Sequence, residues 1–347
     1  MPDEKLTAYR GGKALRRGWT TGSCAAAASQ AAAVLLLTGI APPEIHLHTP
    51  GGITFCLPVE DAHMSGNAAV CTVRKDAGDD PDITNGVRIT ASVRRIEKGV
   101  AIEGGAGVGR ITRPGLAMPV GEAAINPGPR QQITDAVHRA AEQNGYGGGF
   151  SVTISVEDGE ALAAQTYNGH LGIVGGISIL GTSGIVEPMS EKALVDTIRL
   201  ELDSLYAQGQ RIAFLCPGNY GADFARDTLG LDLERAVKCS NFIGEAFDHA
   251  AYRGYPEILL VGHAGKLVKM AAGVMNTHSS VADARQEIFT AHAALCGAPR
   301  ETLEGLMAAI SVDACVELLD EVNLRQPVLS RIGREMETRI ALRMKGQ

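Results

Sequence analysis

The clearest pattern in the first half of the chain is an alanine-rich apolar run over residues 24–37. The polar segment 20–23 precedes this run and Gly39 closes it, and such residues are typical of the start and end of an α-helix. A second helix, at about 131–144, follows the proline-rich turn 126–129. The pattern therefore predicts two helices before residue 150.

Short runs of β-branched and apolar residues between Gly, Asp, Asn and Pro clusters predict strands in the same half. These runs cover residues 45–48, 69–73, 87–93, 100–102 and 152–156. They predict a largely antiparallel sheet. Together with the two helices, the sheet indicates a two-layer α+β domain.

The segment 172–186 is too glycine-rich for a helix and too apolar for a linker, so we expect it to be buried or to lie against a ligand. A helix over 191–207 follows it. The periodicity places four apolar residues on one face of that helix: Leu194, Ile198, Leu202 and Leu205.

Beyond residue 207 the rhythm changes to strand, turn and helix. Strands are predicted at 211–216 and 257–261, each followed by a glycine turn, at 217–221 and 262–265, and by helical sequence. This alternation is typical of a parallel sheet covered by helices on both faces, which binds ligands beyond the carboxyl ends of its strands.

Length and composition fit this division. A chain of 347 residues with 45% hydrophobic and 20% charged residues is expected to form two globular domains, which we place at 1–187 and 188–347. The predicted fold class is mixed α/β, with an α+β domain followed by a parallel-sheet domain. Because 42 residues are glycine and only 4% are aromatic, loops are expected to carry the function.

Charge and cysteine content limit the partners. A net charge of −7 with no dominant basic face argues against nucleic acid. The seven cysteines form no C-x-x-C pair, so neither a metal site nor a disulfide framework is expected, and reduced thiols indicate a cytoplasmic protein. Arg16 and Arg17 before the apolar run resemble an export signal, but the interrupting segment 20–23 argues against one. No membrane association is expected.

The two glycine turns are candidates for a nucleoside-type cofactor, because glycine lets backbone amides approach a ligand closely. Tight turns also use Gly and Asn for geometric reasons alone, and that alternative stays open. A phosphate loop is excluded because only two residues separate the glycines of the second turn and Leu267 follows its lysine. The cofactor candidates are Gly218, Asn219, Tyr220, Gly221, Gly262 and Gly265.

His263 and His278 lie in polar turns, so they are candidate proton acceptors or donors to a substrate, with a capping role as the alternative. The helix starting near Thr21 follows a basic segment, and free amides at its N-terminus would favour a carboxylate. We expect substrate contacts from Arg16, Arg17, Thr20, Thr21, Ser23 and Lys266.

Long segments of the chain resemble the cobalt-precorrin-5B C1-methyltransferase family of the anaerobic cobalamin pathway. The resemblance rests on segments 18–27, 172–190 and 262–285, and also on 111–116 and 217–221. The chain departs from the family pattern at Ser23, where threonine is expected, and in the loop near Asn168.

The resemblance implies methylation of C1 of cobalt-precorrin-5B, giving cobalt-precorrin-6A, with S-adenosylmethionine as the methyl donor. It also implies that the first domain binds the corrinoid and that a Rossmann-like second domain binds the donor, while cobalt is carried by the substrate. Alignment of donor and acceptor would supply most of the rate, with a histidine base as an addition. The competing function is a non-catalytic tetrapyrrole carrier or scaffold of the same pathway, and assembly into a homo-oligomer stays open.

Overall fold

The computed structural model describes residues 6–344, and the chain divides into two compact units, one ending at Ser190 and one starting at Glu191. Both units combine helices with sheets, which confirms the mixed α/β class. The boundary expected after residue 187 lies close to this division.

Unit 1 contains three helices and fourteen strands among its described residues. The helices are α1 (Thr21–Thr38), α2 (Pro127–Gln143) and α3 (Gly159–Ala163). The strands are β1 (Thr7–Arg10), β2 (Lys13–Arg16), β3 (Gly18–Trp19), β4 (Glu44–His48), β5 (Thr54–Ser65), β6 (Ala68–Arg74), β7 (Arg88–Ile96), β8 (Val100–Gly104), β9 (Gly107–Val108), β10 (Arg110–Ile111), β11 (Gly149–Val156), β12 (Ile173–Val174), β13 (Gly176–Ile177) and β14 (Ile185–Val186).

The main sheet of unit 1 has the order β4-β5-β6-β7-β11-β8, and only the β11–β8 pair is parallel. Alternate residues of β7, namely Ile89, Ala91 and Val93, are fully buried, as expected for a sheet with one face on the core. The predicted antiparallel sheet is thus confirmed. One face of it packs against α1, and α2 packs beside α1.

Helix α1 is buried on nearly all sides because its alanine side chains are small enough to let the sheet and α2 approach closely. Thr20 caps its N-terminus and Gly39 ends it in the left-handed conformation, with φ of 76°, which confirms both predicted helix boundaries. Within residues 6–344 it is the one helix long and apolar enough to cross a membrane, yet 78% of that window is buried inside the fold.

Strand β5 is absent from the predicted strands because the pattern of its second half is polar. It pairs with β4 through residues up to Pro58 and with β6 from Val59 onward, and a bulge between Val59 and Asp61 interrupts the register of the β5–β6 ladder. Its second half lies mostly exposed, so the alternation that marks a half-buried strand is missing there.

Unit 2 contains eight α-helices and three strands among its described residues. The helices are α4 (Glu191–Ala207), α5 (Asn219–Asp227), α6 (Ile243–Arg253), α7 (Ala264–Leu267), α8 (Arg285–Leu295), α9 (Arg300–Ala308), α10 (Val312–Glu321) and α11 (Arg325–Arg343). Two 3-10 helices cover Leu233–Arg235 and Val268–Ala272. The strands are β15 (Ile212–Cys216), β16 (Ala236–Lys238) and β17 (Glu257–Leu260).

These strands form a parallel sheet in the order β16-β15-β17, as the strand–helix alternation predicted. Ala213 and Leu215 of β15 join a cluster with α4 and α6, whereas Phe214 and Cys216 join a second cluster with α5. The central strand is therefore covered on both faces. Strand β16 was not predicted, because three residues in charged surroundings are too short for a pattern to appear.

Helix α4 has the predicted bounds but a slightly different buried face. Ile198 and Leu202 are buried as expected, whereas Leu194 is 53% exposed and Val195 takes its place in the core. Glu201 is also buried on this helix, which an apolar pattern cannot predict.

Candidate functional site

The turns that follow β15 and β17 lie side by side at the carboxyl edge of the parallel sheet of unit 2. A Cβ on Gly221 would be 2.5 Å from the carbonyl oxygen of Val261, and a Cβ on Gly262 would be 2.7 Å from Cγ of Pro217. Such distances leave no room for a side chain at either position. The sequence uses glycine here because two backbone segments approach each other.

The first turn is shorter than predicted, because α5 already begins at Asn219. Gly218, with φ of 129°, occupies the cap position in a conformation that side-chain-bearing residues rarely adopt. A Cβ there would meet one atom within 4 Å, Nζ of Lys266 at 3.7 Å. The space next to Gly218 is therefore open, and the Lys266 ammonium lies at its border.

Two rings extend this edge. Tyr220, in the first turn of α5, is 67% exposed, and its ring packs edge-on against His263 with centroids 4.8 Å apart. His263 caps α7, and its Nδ1 accepts a hydrogen bond from the Gly265 amide at 3.1 Å. A neutral imidazole that accepts at Nδ1 carries its proton at Nε2, so His263 in this geometry presents a donor.

His278 is held in a similar way. Its Nδ1 accepts from the amide of Ser280 at 3.2 Å and lies 2.6 Å from the Ser280 hydroxyl oxygen. This contact again places the proton of the neutral ring at Nε2. Of the two roles expected for His263 and His278, proton acceptor and hydrogen-bond donor, the geometry favours the second for the neutral rings.

A pocket of about 440 Å³ opens between the loops that follow β16 and β17 and the N-termini of α8 and α10. It brings together four of the predicted site residues with others that were not predicted. The predicted residues are His263, Gly265, Lys266 and His278. The additional lining residues are Asn241, Lys269, Thr277, Ser279, Arg285, Ser311, Val312 and Asp313.

Three basic side chains line this pocket. Lys269 is 3% exposed, and its ammonium donates to the carbonyl oxygens of Thr277 at 3.2 Å and Ala282 at 2.9 Å. Lys266 is partly buried, and burial lowers its pKa, with the positive charge of Lys269 acting in the same direction. The pocket is therefore a place where added negative charge would be stabilised.

Arg285 is the third basic residue and begins α8. It donates to both oxygens of Asp283, at 2.5 and 2.7 Å. The guanidinium holds the pKa of the Asp283 carboxyl below its usual range. Arg285 is held in place by this pair while still lining the pocket.

A second cavity, of about 400 Å³, lies between α4, α6 and α11. Its two arginines are already paired within the protein: Arg199 with Glu245 at 2.8 Å, and Arg343 with Asp248 at 2.6 Å. None of the residues that line this cavity belongs to the glycine turns, so we do not assign it to the site.

The residues predicted around the start of α1 lie in unit 1. The Gly22 amide donates to the Leu180 carbonyl oxygen at 2.8 Å, and the Ser23 amide donates to Oγ1 of Thr20 at 3.2 Å. The expectation that these amides are free to hold a carboxylate is therefore wrong. The chain supplies its own acceptors.

Side chains at this helix start are used in the same way. Thr21 Oγ1 accepts from the Leu180 amide at 2.8 Å, and the Ser23 hydroxyl donates to the Gly184 carbonyl oxygen at 2.7 Å. A Cβ on Gly181 would lie 2.1 Å from Oγ1 of Thr20. The glycine-rich segment 172–186 thus packs against α1, which accounts for its apolar composition.

Arg16 and Arg17, just before this helix, are bound to carboxylates of unit 1. Arg16 donates to both oxygens of Asp76, at 2.6 and 2.8 Å, and Arg17 donates to Glu187 at 3.0 Å. The Arg16 side chain remains 52% exposed, so it can still be reached from solvent.

Sequence reasoning missed the buried lysine and threonine of the pocket, Lys269 and Thr277. Each occurs singly within the segment 262–285, and only the fold brings them into one pocket with His263 and Lys266. Cys24, in the first turn of α1, is fully buried, and burial raises the pKa of its thiol, which argues against a reactive thiolate there.

One group of three potential metal ligands occurs among residues 6–344, where Glu44, His46 and Cys56 place one ligand atom each within 4.8 Å of the others. All three side chains are exposed on the β4–β5 ladder. The prediction that the protein binds no metal stays a prediction.

Comparison with known proteins identifies relatives over most of the chain. The family model described as CbiD matches residues 8–188, and that described as CbiD, C-terminal domain, matches residues 276–347. A protein of Ruminiclostridium cellulolyticum named cobalt-precorrin-5B C(1)-methyltransferase is 52% identical, over 92% of this chain and 83% of that protein. A protein of Citrobacter koseri with the same name is 44% identical, over 92% of this chain and 84% of that protein.

Among solved structures, the crystal structure of a cobalamin biosynthesis protein from Archaeoglobus fulgidus is similar, with 30% identity and a TM-score of 0.44, covering 81% of this chain and 88% of that chain. The family models and the relatives agree with the resemblance read from the sequence. The chain belongs to the CbiD family.

Proposed function

We propose that the protein is a methyltransferase that transfers a methyl group from S-adenosylmethionine to C1 of cobalt-precorrin-5B. The observation that carries this proposal is the 52% identity, over 92% of the chain, to a protein of that name. The carboxyl edge of the parallel sheet in unit 2 supports it, because ligands of such sheets bind beyond the strand ends.

The donor is assigned to the two glycine turns. Gly218 borders open space in a conformation that favours glycine, so a bound nucleoside can approach its backbone. Asn219 and Gly221 form the first turn of α5, and the exposed ring of Tyr220 offers a stacking surface for the adenine. Gly262 and Gly265 hold the second turn in place beside His263.

The substrate is a tetrapyrrole whose peripheral carboxylates need basic partners. Lys266 at the pocket and the exposed Arg16 in unit 1 are assigned to these carboxylates, together with Arg17. Thr20, Thr21 and Ser23 fix the start of α1, and thereby the segment that carries the two arginines, through their contacts with the glycine-rich segment. Their role in the proposal is therefore to position Arg16 and Arg17.

The methyl group of the donor is already activated by its positive sulfur. The electron pair of the ring carbon forms the new bond as the carbon–sulfur bond breaks, leaving S-adenosylhomocysteine, and no covalent enzyme intermediate is needed. What the chain contributes is alignment of the two reactants, which can lower the barrier by about 7–11 kcal/mol. His263 and His278, each presenting Nε2–H, orient carboxylate or carbonyl oxygens of the ligands.

The test is calorimetric titration of S-adenosylmethionine and S-adenosylhomocysteine into the unaltered protein and into Gly218→Val. Because valine would place its side chain over the donor turn, we expect affinity to fall at least about tenfold. The matched control is Gly230→Val, which strains another left-handed glycine that has nothing within 4 Å. That variant should bind as the unaltered protein does.

Methyl transfer from labelled S-adenosylmethionine to cobalt-precorrin-5B is measured in the same proteins. Donor binding together with turnover supports a methyltransferase. A protein that binds the tetrapyrrole tightly but binds neither donor nor product, and transfers no label, would instead be a carrier.

A further inference from the structure

The pocket beside the glycine turns contains a polar group that the fold leaves without a partner. Thr277 lines the pocket and is 3% exposed, and its hydroxyl finds no hydrogen-bond partner within residues 6–344. An unpaired buried hydroxyl destabilises a protein, so it is normally paired with protein or ligand. Its position on the pocket wall indicates that a ligand supplies the partner.

A buried cation, Lys269, lies next to Thr277. Lys269 donates to the Thr277 carbonyl oxygen, and its ammonium lies 4.0 Å from Asp283, a carboxylate that is already bound by Arg285. Two cations therefore share one carboxylate. Lys266 adds a third positive charge, and Asp313 is the one carboxylate among the lining residues.

The N-terminus of α10 borders the same pocket. Ser311 caps the helix by accepting from the Ala314 amide at 3.1 Å, whereas the amides of Val312 and Asp313 make no hydrogen bond to any other described residue. These are two of the amides that a helix of ten residues leaves free at its start, and they carry partial positive charge.

We propose that this pocket binds a carboxylate, with the Thr277 hydroxyl, the Lys269 and Lys266 ammonium groups and the first amides of α10 as its donors. The proposal deepens the proposed function, on which it rests, by naming the part of the ligand that each group holds. Two sources supply this chemistry in the reaction: the amino-acid carboxylate of the donor and the peripheral carboxylates of the tetrapyrrole.

Thr277→Val tests the pocket, because it replaces the hydroxyl with a methyl group of similar size. The unliganded variant should unfold about 2 °C higher than the unaltered protein, since an unpaired hydroxyl is removed from the interior. Its affinity for the carboxylate ligand should nevertheless fall about tenfold, because a hydrogen bond to a charged group is lost. A purely structural threonine would raise stability without changing affinity.

Thr290→Val is the matched control, because the Thr290 hydroxyl is also buried without a partner among the described residues but does not line the pocket. It should raise the unfolding temperature and leave binding unchanged. Lys269→Met is the second variant, and it should weaken the same ligand more than Thr277→Val does.

Two probes identify the source of the carboxylate. If the donor supplies the carboxylate, both pocket variants should bind S-adenosylhomocysteine more weakly than the unaltered protein does. Their affinity for 5′-methylthioadenosine, which lacks the amino acid, should be unchanged. If the tetrapyrrole supplies it, S-adenosylhomocysteine binding is unchanged and KM for cobalt-precorrin-5B rises about tenfold. Normal binding and normal KM in both pocket variants would overturn the proposal.

If the proposed function is wrong, the unaltered protein itself binds no donor and transfers no methyl group, which distinguishes that outcome from failure of the pocket proposal. In that case succinate is used as a simple carboxylate probe. A rise in unfolding temperature with succinate that Thr277→Val and Lys269→Met abolish would still support the carboxylate pocket, and no rise in the unaltered protein would reject it.

Discussion

The start of α1 in unit 1 and the pocket in unit 2 both combine glycine, hydroxyl side chains and nearby basic residues, yet the chain fills the first and leaves the second open. At the start of α1 the amide of Gly22 is bound by the carbonyl oxygen of Leu180 and the Thr20 hydroxyl caps the helix. At the edge of the β15–β17 sheet a pocket stays open, and Thr277 keeps an unpaired hydroxyl.

The difference lies in which part of the chain faces each of these two places. In unit 1 the glycine-rich segment 172–186 comes close enough to supply acceptors for amides and hydroxyls. In unit 2 the loops at the strand ends approach each other at Gly221 and Gly262 but leave a gap lined by Lys266 and Lys269. A helix start that looks like an anion site is one only where the chain does not fill it.

Of the substitutions that test this comparison, Gly181→Ala should have the largest effect on stability. Its Cβ would lie 2.1 Å from the Thr20 hydroxyl, so the substitution displaces the residue that caps α1. We expect a loss of about 2–4 kcal/mol in the free energy of unfolding. Urea unfolding followed by the fluorescence of Trp19, the one tryptophan of the chain, measures it.

Gly175→Ala is the control for this substitution. Gly175 belongs to the same segment and also has a positive φ, of 83°, but nothing lies within 4 Å of its position. Backbone strain alone should lower stability by about 1–2 kcal/mol. Equal losses in the two variants would mean that the packing against Thr20 does not close the start of α1.

Local patterns predicted much of the fold because they report directly on burial. The caps of α1 and the bounds of α4 follow from residues adjacent in sequence, and so does the position of the strand that became β15. The candidate site could be located only where it depends on adjacent residues, as in the turn at Gly262. Lys269 and Thr277 could not be identified as pocket residues, because their burial and their place in the pocket depend on segments distant in sequence.

The closed contact at α1 was missed for the same reason. A run of glycines such as 172–186 shows that backbone approaches something closely, but the sequence does not say whether that neighbour is a ligand or another part of the chain. Two smaller errors have the same cause: β16 was not predicted, and Leu194 was expected to be buried. Tertiary packing determines both the pairing of that strand and the exposure of that side chain.

Glu201→Gln tests a buried acid in the core of unit 2. Glu201 is buried on α4, and burial raises its pKa to about 7, although the Lys238 amide and charge act in the opposite direction. A raised pKa of an acid means that the folded protein holds the proton more tightly. Its contribution to stability is therefore fully present below about pH 4.5, which is the ordinary pKa of a glutamate in the unfolded chain. That contribution is lost as the pH rises through about 7.

The glutamine variant stays neutral and should gain stability relative to the unaltered protein over this range, by on the order of 3 kcal/mol at most. Hydrogen exchange of the β16 amides, compared between the two proteins at equal pH from about 5 to 8, gives the difference. A difference that does not change with pH would show that Glu201 is not a neutral group in the fold at the acidic end of this range.

Arg16→Gln should have the smallest effect on stability. Its guanidinium lowers the pKa of the Asp76 carboxyl, so the pair contributes above the ordinary Asp76 pKa and is lost as pH falls through the lowered one. Because Arg16 is 52% exposed, solvent screens the pair and the loss at about pH 7 should stay within about 1 kcal/mol by Trp19 fluorescence. The small difference should vanish once the pH is low enough to protonate Asp76 in the folded protein.

The same variant sharpens the comparison between the two units. If Arg16 meets a substrate carboxylate, Arg16→Gln raises KM for cobalt-precorrin-5B about tenfold while stability barely changes, because a charge-assisted hydrogen bond to the ligand is lost. An unchanged KM would make Arg16 a partner of Asp76 alone. The carboxylate contacts of the substrate would then have to come from elsewhere, and the pocket beside Lys266 and Lys269 would be the strongest remaining candidate, since the Thr277 hydroxyl on its wall is not already used by the fold.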